Sequence, residues 1–148
     1  MNRVMPQLKQ LIAYGLCTLF FLASTTANSD SYTSPETIEG TEKIEAEGLI
    51  QLVNQNEDQI IIDSRISSDR RLGYIAGSIS LPDTDTSCES LARLIPKKSD
   101  PVVFYCNGPN CRRSDNAVTI AVDCGYTKVY WFRGGIEAWK ANNYPIRK

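Results

Sequence analysis

Apolar residues along this chain fall into two rhythms that alternate. Gln59-Ile-Ile-Ile-Asp63, Pro101-Val-Val-Phe-Tyr105 and Lys128-Val-Tyr-Trp-Phe132 are short continuous runs, rich in β-branched and aromatic residues. Such runs predict strands buried on both faces of a parallel sheet. Gly77-Ser-Ile-Ser-Leu-Pro82 predicts a shorter strand closed by proline, and Ile44 a short edge strand. Between them lie stretches with one apolar face. Ala46–Gln55 is predicted as an amphipathic helix carrying Leu49, Ile50 and Val53 on that face. Further helices are predicted over 88–94, 113–124 and 136–142, the last with Trp139 on its apolar side. Gly125 suits the position just past a helix end, and Gly134-Gly135 suits a turn. Strands alternating with helices at this spacing predict a single α/β domain, a mainly parallel sheet flanked by helices.

Ahead of this pattern the chain changes character. Met1-Asn-Arg3 through Lys9-Gln10 is basic, Leu11 to Ala23 is apolar, and Thr25-Thr26-Ala27 is small. That order predicts a secretory signal over 1–27. The rival is an uncleaved membrane anchor, but a spanning helix needs about 20 apolar residues, and polar Ser24-Thr-Thr-Ala-Asn28 cuts the run short. Cys17 lies inside the run, preceded by Leu16, which argues against a lipoprotein site. Export, to a periplasm, is the expectation. Residues 28–42 are polar without periodicity and are predicted as a flexible lead-in. Residues 43–148 are left as one domain of ordinary size.

Composition narrows the chemistry. The formal net charge is −1, so nothing points to nucleic acid or, once the signal is removed, to a membrane surface. No histidine is present, which excludes histidine triads, histidine bases and histidine metal sites. No metal and no cofactor are expected, and the domain is expected to act as a monomer. Four of the five cysteines lie past the signal: Cys88, Cys106, Cys111 and Cys124. In an oxidising compartment four cysteines suit two structural disulfides. Cys88, in a predicted helix, and Cys124, near a helix end, fit that role, although their pairing with each other is not legible in the sequence.

Cys106-Asn-Gly-Pro-Asn-Cys111-Arg112-Arg113-Ser114 is the segment that concentrates chemistry. It follows a predicted buried strand and precedes a predicted helix. Ligands in open parallel sheets bind beyond the carboxyl ends of strands. Backbone N–H groups of a tight loop and the positive end of the following helix favour an anion, and the same field stabilises a thiolate at Cys106. Asn107, Gly108 and Asn110 supply the cradle, with Gly108 allowing close approach to a ligand. Arg112 and Arg113 add positive charge at the rim, and Ser114 is placed to cap the helix or donate to the ligand. An inert core cysteine is the plainer alternative for Cys106. Cys111 is too poorly supplied with neighbouring ligands to hold a metal. A reversible disulfide with Cys106, in which Cys111 is the resolving thiol, is the better chemistry. Asp63 and Arg65, at the end of another strand, are placed to orient the loop or to form a simple ion pair.

Four motifs in order resemble the rhodanese-like domain family over residues 44–146. Ile60-Ile-Ile-Asp63-Ser-Arg65 resembles its strand ending in Asp-x-Arg. Gly73-Tyr-Ile-Ala-Gly77-Ser-Ile-Ser-Leu-Pro82 resembles its Gly-His-Ile-x-Gly-Ala-x-x-x-Pro segment, with Tyr74 in place of the histidine. Val103-Phe-Tyr-Cys106 is similar to the strand that delivers the active cysteine. Tyr130-Trp-Phe-Arg-Gly134-Gly135-Ile-Glu-Ala-Trp139, followed by Tyr144-Pro145, resembles its closing Gly-Gly-x-x-x-Trp and Pro. The usual family loop runs Cys-x-x-Gly-x-Arg-Ser. Here Cys111 takes the arginine's place and the first arginine is Arg112, so a loop longer by at least one residue is expected.

The resemblance implies sulfur transfer: Cys106 accepts a sulfane sulfur as a persulfide and passes it on. The implied donor is a small sulfur-containing anion such as thiosulfate, or a protein persulfide, and the acceptor a thiol or a cyanide-like nucleophile. Arg112 and Arg113 would orient the donor's oxygens. Two alternatives stay open. Cys106-x5-Arg112 matches the spacing of cysteine phosphatases and arsenate-reductase-type oxyanion chemistry, although the loop contains no carboxylic acid to protonate a leaving alkoxide. A non-catalytic sulfur- or redox-binding module, with Cys106 and Cys111 permanently joined, is the other.

Overall fold

The computed structural model describes residues 31–148, so the expected signal over 1–27 lies outside the described residues. In chain order the strands are β1 (Thr41–Lys43), β2 (Ile60–Asp63), β3 (Tyr74–Ile75), β4 (Ile79–Ser80), β5 (Val102–Tyr105), β6 (Val129–Phe132) and β7 (Ile146–Arg147). The helices are α1 (Ala46–Gln55), α2 (Ser67–Arg70), α3 (Cys88–Leu94), α4 (Arg113–Asp123) and α5 (Gly135–Ala141). Five strands form one sheet in the order β1-β6-β5-β2-β4, with every pairing parallel. β3 and β7 form a separate antiparallel ribbon. The domain is therefore α/β with a parallel central sheet, as the alternating rhythms predict.

The three continuous apolar runs occupy the middle of the sheet because their side chains are wanted on both faces. Alternate residues of β5 divide between two cores. Val102 and Phe104 join Ile62 and Trp131 against Leu91 of α3 and Ala117, Val118 and Ala121 of α4. Val103 and Tyr105 join Ile61 and Phe132 against Leu49 of α1 and Ile136 and Trp139 of α5. Each fully buried side chain of this size is worth roughly 1.5–3 kcal/mol of apolar burial. The register places Asp63 beside Tyr105 and Tyr105 beside Phe132. The carboxyl ends of β2, β5 and β6 thus finish level, and the residues that follow them share one rim.

Several sequence expectations change in detail. Leu49 is buried in α1, but Ile50 is half-buried and Val53 is 37% exposed, because only the Leu49 side of that helix meets the sheet. The lead-in expected over 28–42 is structured where it is described. Thr41–Lys43 pairs with Val129–Trp131 as β1, and Ser34 is buried. Backbone pairing with an open sheet edge needs no apolar periodicity, so the polar composition concealed it. Cys88, behind a Ser87–Ser90 capping box, and Cys124, at the end of α4, are joined in a disulfide with Cα atoms 5.4 Å apart. Gly125 follows with φ +87°, the left-handed conformation expected of a residue closing a helix. Among the described residues no helix is long and apolar enough to cross a membrane.

Candidate active site

Cys106 emerges from the carboxyl end of β5 and is 1% exposed. The loop that follows is held from three directions. On one side the start of α5 donates to it: Ile136 N–H to the Cys106 carbonyl (3.0 Å) and Glu137 N–H to the Asn107 carbonyl (2.9 Å). Gly135 makes this approach possible. It sits at φ +56°, and a Cβ there would collide with the Cys106 carbonyl oxygen and stand 2.8 Å from the Asn107 carbonyl.

On the second side stands a buried ionic network. Arg65 donates to both oxygens of Asp63 (2.9 and 2.7 Å) and to the Gly73 carbonyl (2.9 Å). Asp63 also accepts from Arg70 (3.0 Å) and from the Tyr105 hydroxyl (2.7 Å). Burial alone would lower the Arg65 pKa, but the Asp63 carboxylate outweighs it and holds the guanidinium above its usual value. Burial, then the Asp63 charge, pushes the Tyr105 phenol up to about 12. Asn107 rests against this network, donating to Asp69 (2.8 Å) and accepting a long hydrogen bond from Arg65 (3.5 Å). Asp63 and Arg65 form the ion pair, and Arg65 also contacts Asn107 of the loop.

The third side is the segment before β1, which polar composition had concealed. Ser34 N–H donates to the Pro109 carbonyl (2.7 Å), and its hydroxyl donates to Asp115 (2.7 Å). The Tyr32 hydroxyl also donates to Asp115, and burial, then Asp115, raises the Tyr32 pKa. Arg133, following β6, donates to the Ser34 and Pro35 carbonyls (both 2.8 Å). Arg133 thus ties down the strap rather than the loop. Asp115, although in the first turn of α4, is engaged by these hydroxyls.

The cysteine loop opens onto a cleft of about 560 Å³. Asn107, Asn110, Cys111, Arg112 and Arg113 line it, and the structure brings Asp69, Asp83, Asn116 and Glu137 to the same walls. No spacing in the sequence linked those three carboxylates to the loop, since each arrives from a different element. Arg113 is ion-paired with Asp83 (2.8 Å). The Arg112 guanidinium lies 4.2 Å over the Tyr32 ring. Gly108 is buried with the Glu137 carboxylate where its side chain would be, so its smallness serves a neighbouring side chain. Ser114 is 1% exposed and neither caps the helix nor faces the cleft; it accepts from Trp131 Nε1 (3.2 Å) and donates to Asp115 (3.3 Å). Cys106 and Cys111 are joined in a disulfide.

The model of the rhodanese-like domain matches residues 45–142. The chain belongs to the rhodanese-like domain family. A sulfurtransferase from Allochromatium vinosum is 33% identical over 104 residues, 70% of this chain and 92% of that one. The uncharacterised protein YibN of Escherichia coli is 32% identical over 97 residues, 65% of each chain; the match thus spans just under two thirds of that relative's length. Among solved structures, the BH2092 protein of Bacillus halodurans superposes with a TM-score of 0.63 at 25% identity, over 72% of this chain and 76% of that one. Within the rhodanese-like frame, Tyr74 occupies the histidine position in β3 and stacks under Arg70, whose guanidinium carbon is 3.9 Å from the ring centre.

Proposed function

We propose that this rhodanese-like domain is a sulfurtransferase that carries a sulfane sulfur as a persulfide on Cys106. The supporting observation is the position of that residue. It lies just past the carboxyl end of a buried parallel strand, and the loop that leads from it to the start of α4 lines an open cleft. There the thiolate is favoured by the loop's N–H groups and the helix field. The donor's leaving group departs into the cleft. The walls carry three carboxylates against Arg112 and Arg113, a charge balance that suits a thiol-borne or protein-borne persulfide better than a small dianion. The acceptor is a thiol or another thiophile such as cyanide.

Two features favour this chemistry over phosphate-ester hydrolysis. Of the three cleft carboxylates two are engaged, Asp83 with Arg113 and Asn116, and Asp69 with Asn107. An ion-paired carboxylate is a poor proton donor to a leaving alkoxide. In addition, Arg112, the arginine at phosphatase spacing, stacks on Tyr32.

The test is a parallel assay on the reduced protein. Thiosulfate or a low-molecular-weight persulfide with cyanide is expected to give thiocyanate, and Cys106→Ser to give none. An aryl phosphate is expected to remain intact. Cys106-dependent phosphate release without thiocyanate formation would replace sulfur transfer with phosphatase chemistry. We place the activity outside the cytoplasm, on the basic-then-apolar N-terminus and on the two disulfides, which suit an oxidising compartment. Terminal sequencing of the protein recovered from periplasmic extracts should begin close to Asn28; an intact Met1 in the membrane fraction would indicate an anchor.

A further inference from the structure

Cys106 and Cys111 differ in access although they are bonded to each other. Cys106 is 1% exposed, whereas Cys111 is half-buried and lines the cleft. Their Cα atoms are 6.3 Å apart, within the span a disulfide bridges without backbone movement. The turn between them is independently fixed. Cys111 N–H donates to the Gly108 carbonyl (3.0 Å), the Pro109 carbonyl is held by Ser34, and the Cys106 and Asn107 carbonyls are held by α5. None of these bonds involves sulfur, so they keep the two side chains in reach of each other when the pair is reduced.

We infer that Cys111 is the resolving thiol of a second activity at this site: reductive release of hydrosulfide from the Cys106 persulfide. The inference rests on Cys106 being the sulfur carrier. The Cys111 thiolate attacks Sγ of Cys106. A bond forms between the two Sγ atoms while the bond from Cys106 Sγ to the sulfane sulfur breaks. Hydrosulfide leaves into the cleft with the bonding pair and the proton it already carried. The sulfane sulfur departs as sulfide, and the cysteine pair is left oxidised by two electrons relative to the dithiol.

An external dithiol restores the site. Its thiolate attacks the sulfur it can reach, that of Cys111. Cys106 is the leaving group, and its thiolate is stabilised at the loop and the start of α4. The second thiol of the reductant then frees Cys111, and the reductant ends as a disulfide. The domain thereby converts a donor's sulfane sulfur to sulfide at the expense of a dithiol. While the disulfide stands, Cys106 is closed to donors.

A single-turnover experiment tests this. The full-length chain is reduced with dithiothreitol, freed of it without oxygen, and treated with thiosulfate or with glutathione persulfide, whose transfer of sulfur to a thiolate expels sulfite or glutathione rather than sulfide. Trypsin cuts after Lys98 and after Arg112, so one peptide, 99–112, carries both cysteines. Wild type is expected to release about one sulfide per chain, leaving that peptide two hydrogens lighter than the dithiol. Cys111→Ser and Cys111→Ala are expected to release none and to hold the peptide one sulfur heavier. A wild-type peptide that stays one sulfur heavier, with no sulfide, would overturn the inference and leave sulfur transfer standing. Equal sulfide release from wild type and both Cys111 variants would overturn it too. Failure of the Cys111 variants to gain sulfur from either donor would remove the carrier role of Cys106, and the inference with it.

Discussion

At Tyr105 a single hydroxyl links the sheet to the ionic network under the cysteine loop. It donates to Asp63 (2.7 Å), accepts from Ile75 N–H (3.2 Å) and lies 3.1 Å from the Ser78 hydroxyl. Tyr105→Phe leaves the Ile75 N–H without its acceptor and Asp63 with one donor fewer, so a loss of about 1–3 kcal/mol is expected. The loss should depend on pH in a defined direction. The folded phenol titrates at about 12 against an ordinary 10.0, so the fold favours its neutral form. That contribution is fully present below pH 10 and fades as pH rises through the folded value. Denaturant unfolding of both proteins should therefore show a stability gap that is constant below about pH 9 and shrinks towards pH 12. A gap independent of pH across that window would mean that the phenol's ionisation is not coupled to folding.

Among the elements, the start of α5 governs the cysteine loop most directly. The N–H groups of Ile136 and Glu137 in its first turn hold the Cys106 and Asn107 carbonyls, and Gly135 lets the backbones approach. Gly135→Ala puts a methyl group against the Cys106 carbonyl and forces an L-residue into the left-handed region. The conformational cost alone is about 1–2 kcal/mol, and the collision adds to it. The variant is expected to fold with a lower midpoint and to load sulfur on Cys106 at least about tenfold more slowly, which corresponds to about 1.4 kcal/mol in the transition state. Loading at the wild-type rate in a destabilised protein would show that the loop keeps its shape without α5. The strap at Tyr32–Ser34 acts from the opposite side, and hydrogen exchange within 107–112 should accelerate in Ser34→Ala, which lacks the hydroxyl bond to Asp115.

For the molecule as a whole, the Cys88–Cys124 bridge and the Cys106–Cys111 bridge have separate duties. The first joins α3 to the end of α4 across 36 residues of chain and belongs to neither the loop nor the cleft walls. Closing a segment of that length restricts the unfolded chain by about 3–4 kcal/mol. Cys88→Ala combined with Cys124→Ala is expected to lower unfolding stability by about that amount and to leave Cys106 loading unchanged at temperatures where the fold persists. Loss of loading in a folded double variant would show that the two bridges are coupled.

The sequence by itself determined the α/β class, the three central strands and the positions of α1, α3, α4 and α5, and it singled out the cysteine loop. Strand burial on two faces and helix amphipathicity are local patterns, and the family motifs are contiguous. Tertiary structure alone decided what surrounds Cys106. Asp69, Asp83 and Glu137 reach the cleft from three elements far apart in the chain, Ser34 and Tyr32 arrive through a polar segment without periodicity, and Arg112 turns onto Tyr32. Ser114 was misplaced for the same reason: a hydroxyl near a helix start is free to cap in isolation, but here Trp131 and Asp115 take it inward. Cysteine spacing named Cys111 as a partner for Cys106; only the fold buried Cys106 and left Cys111 half-buried on the cleft wall. Side-chain access depends on which distant elements pack above a residue, and that is not a property of neighbouring positions in the chain.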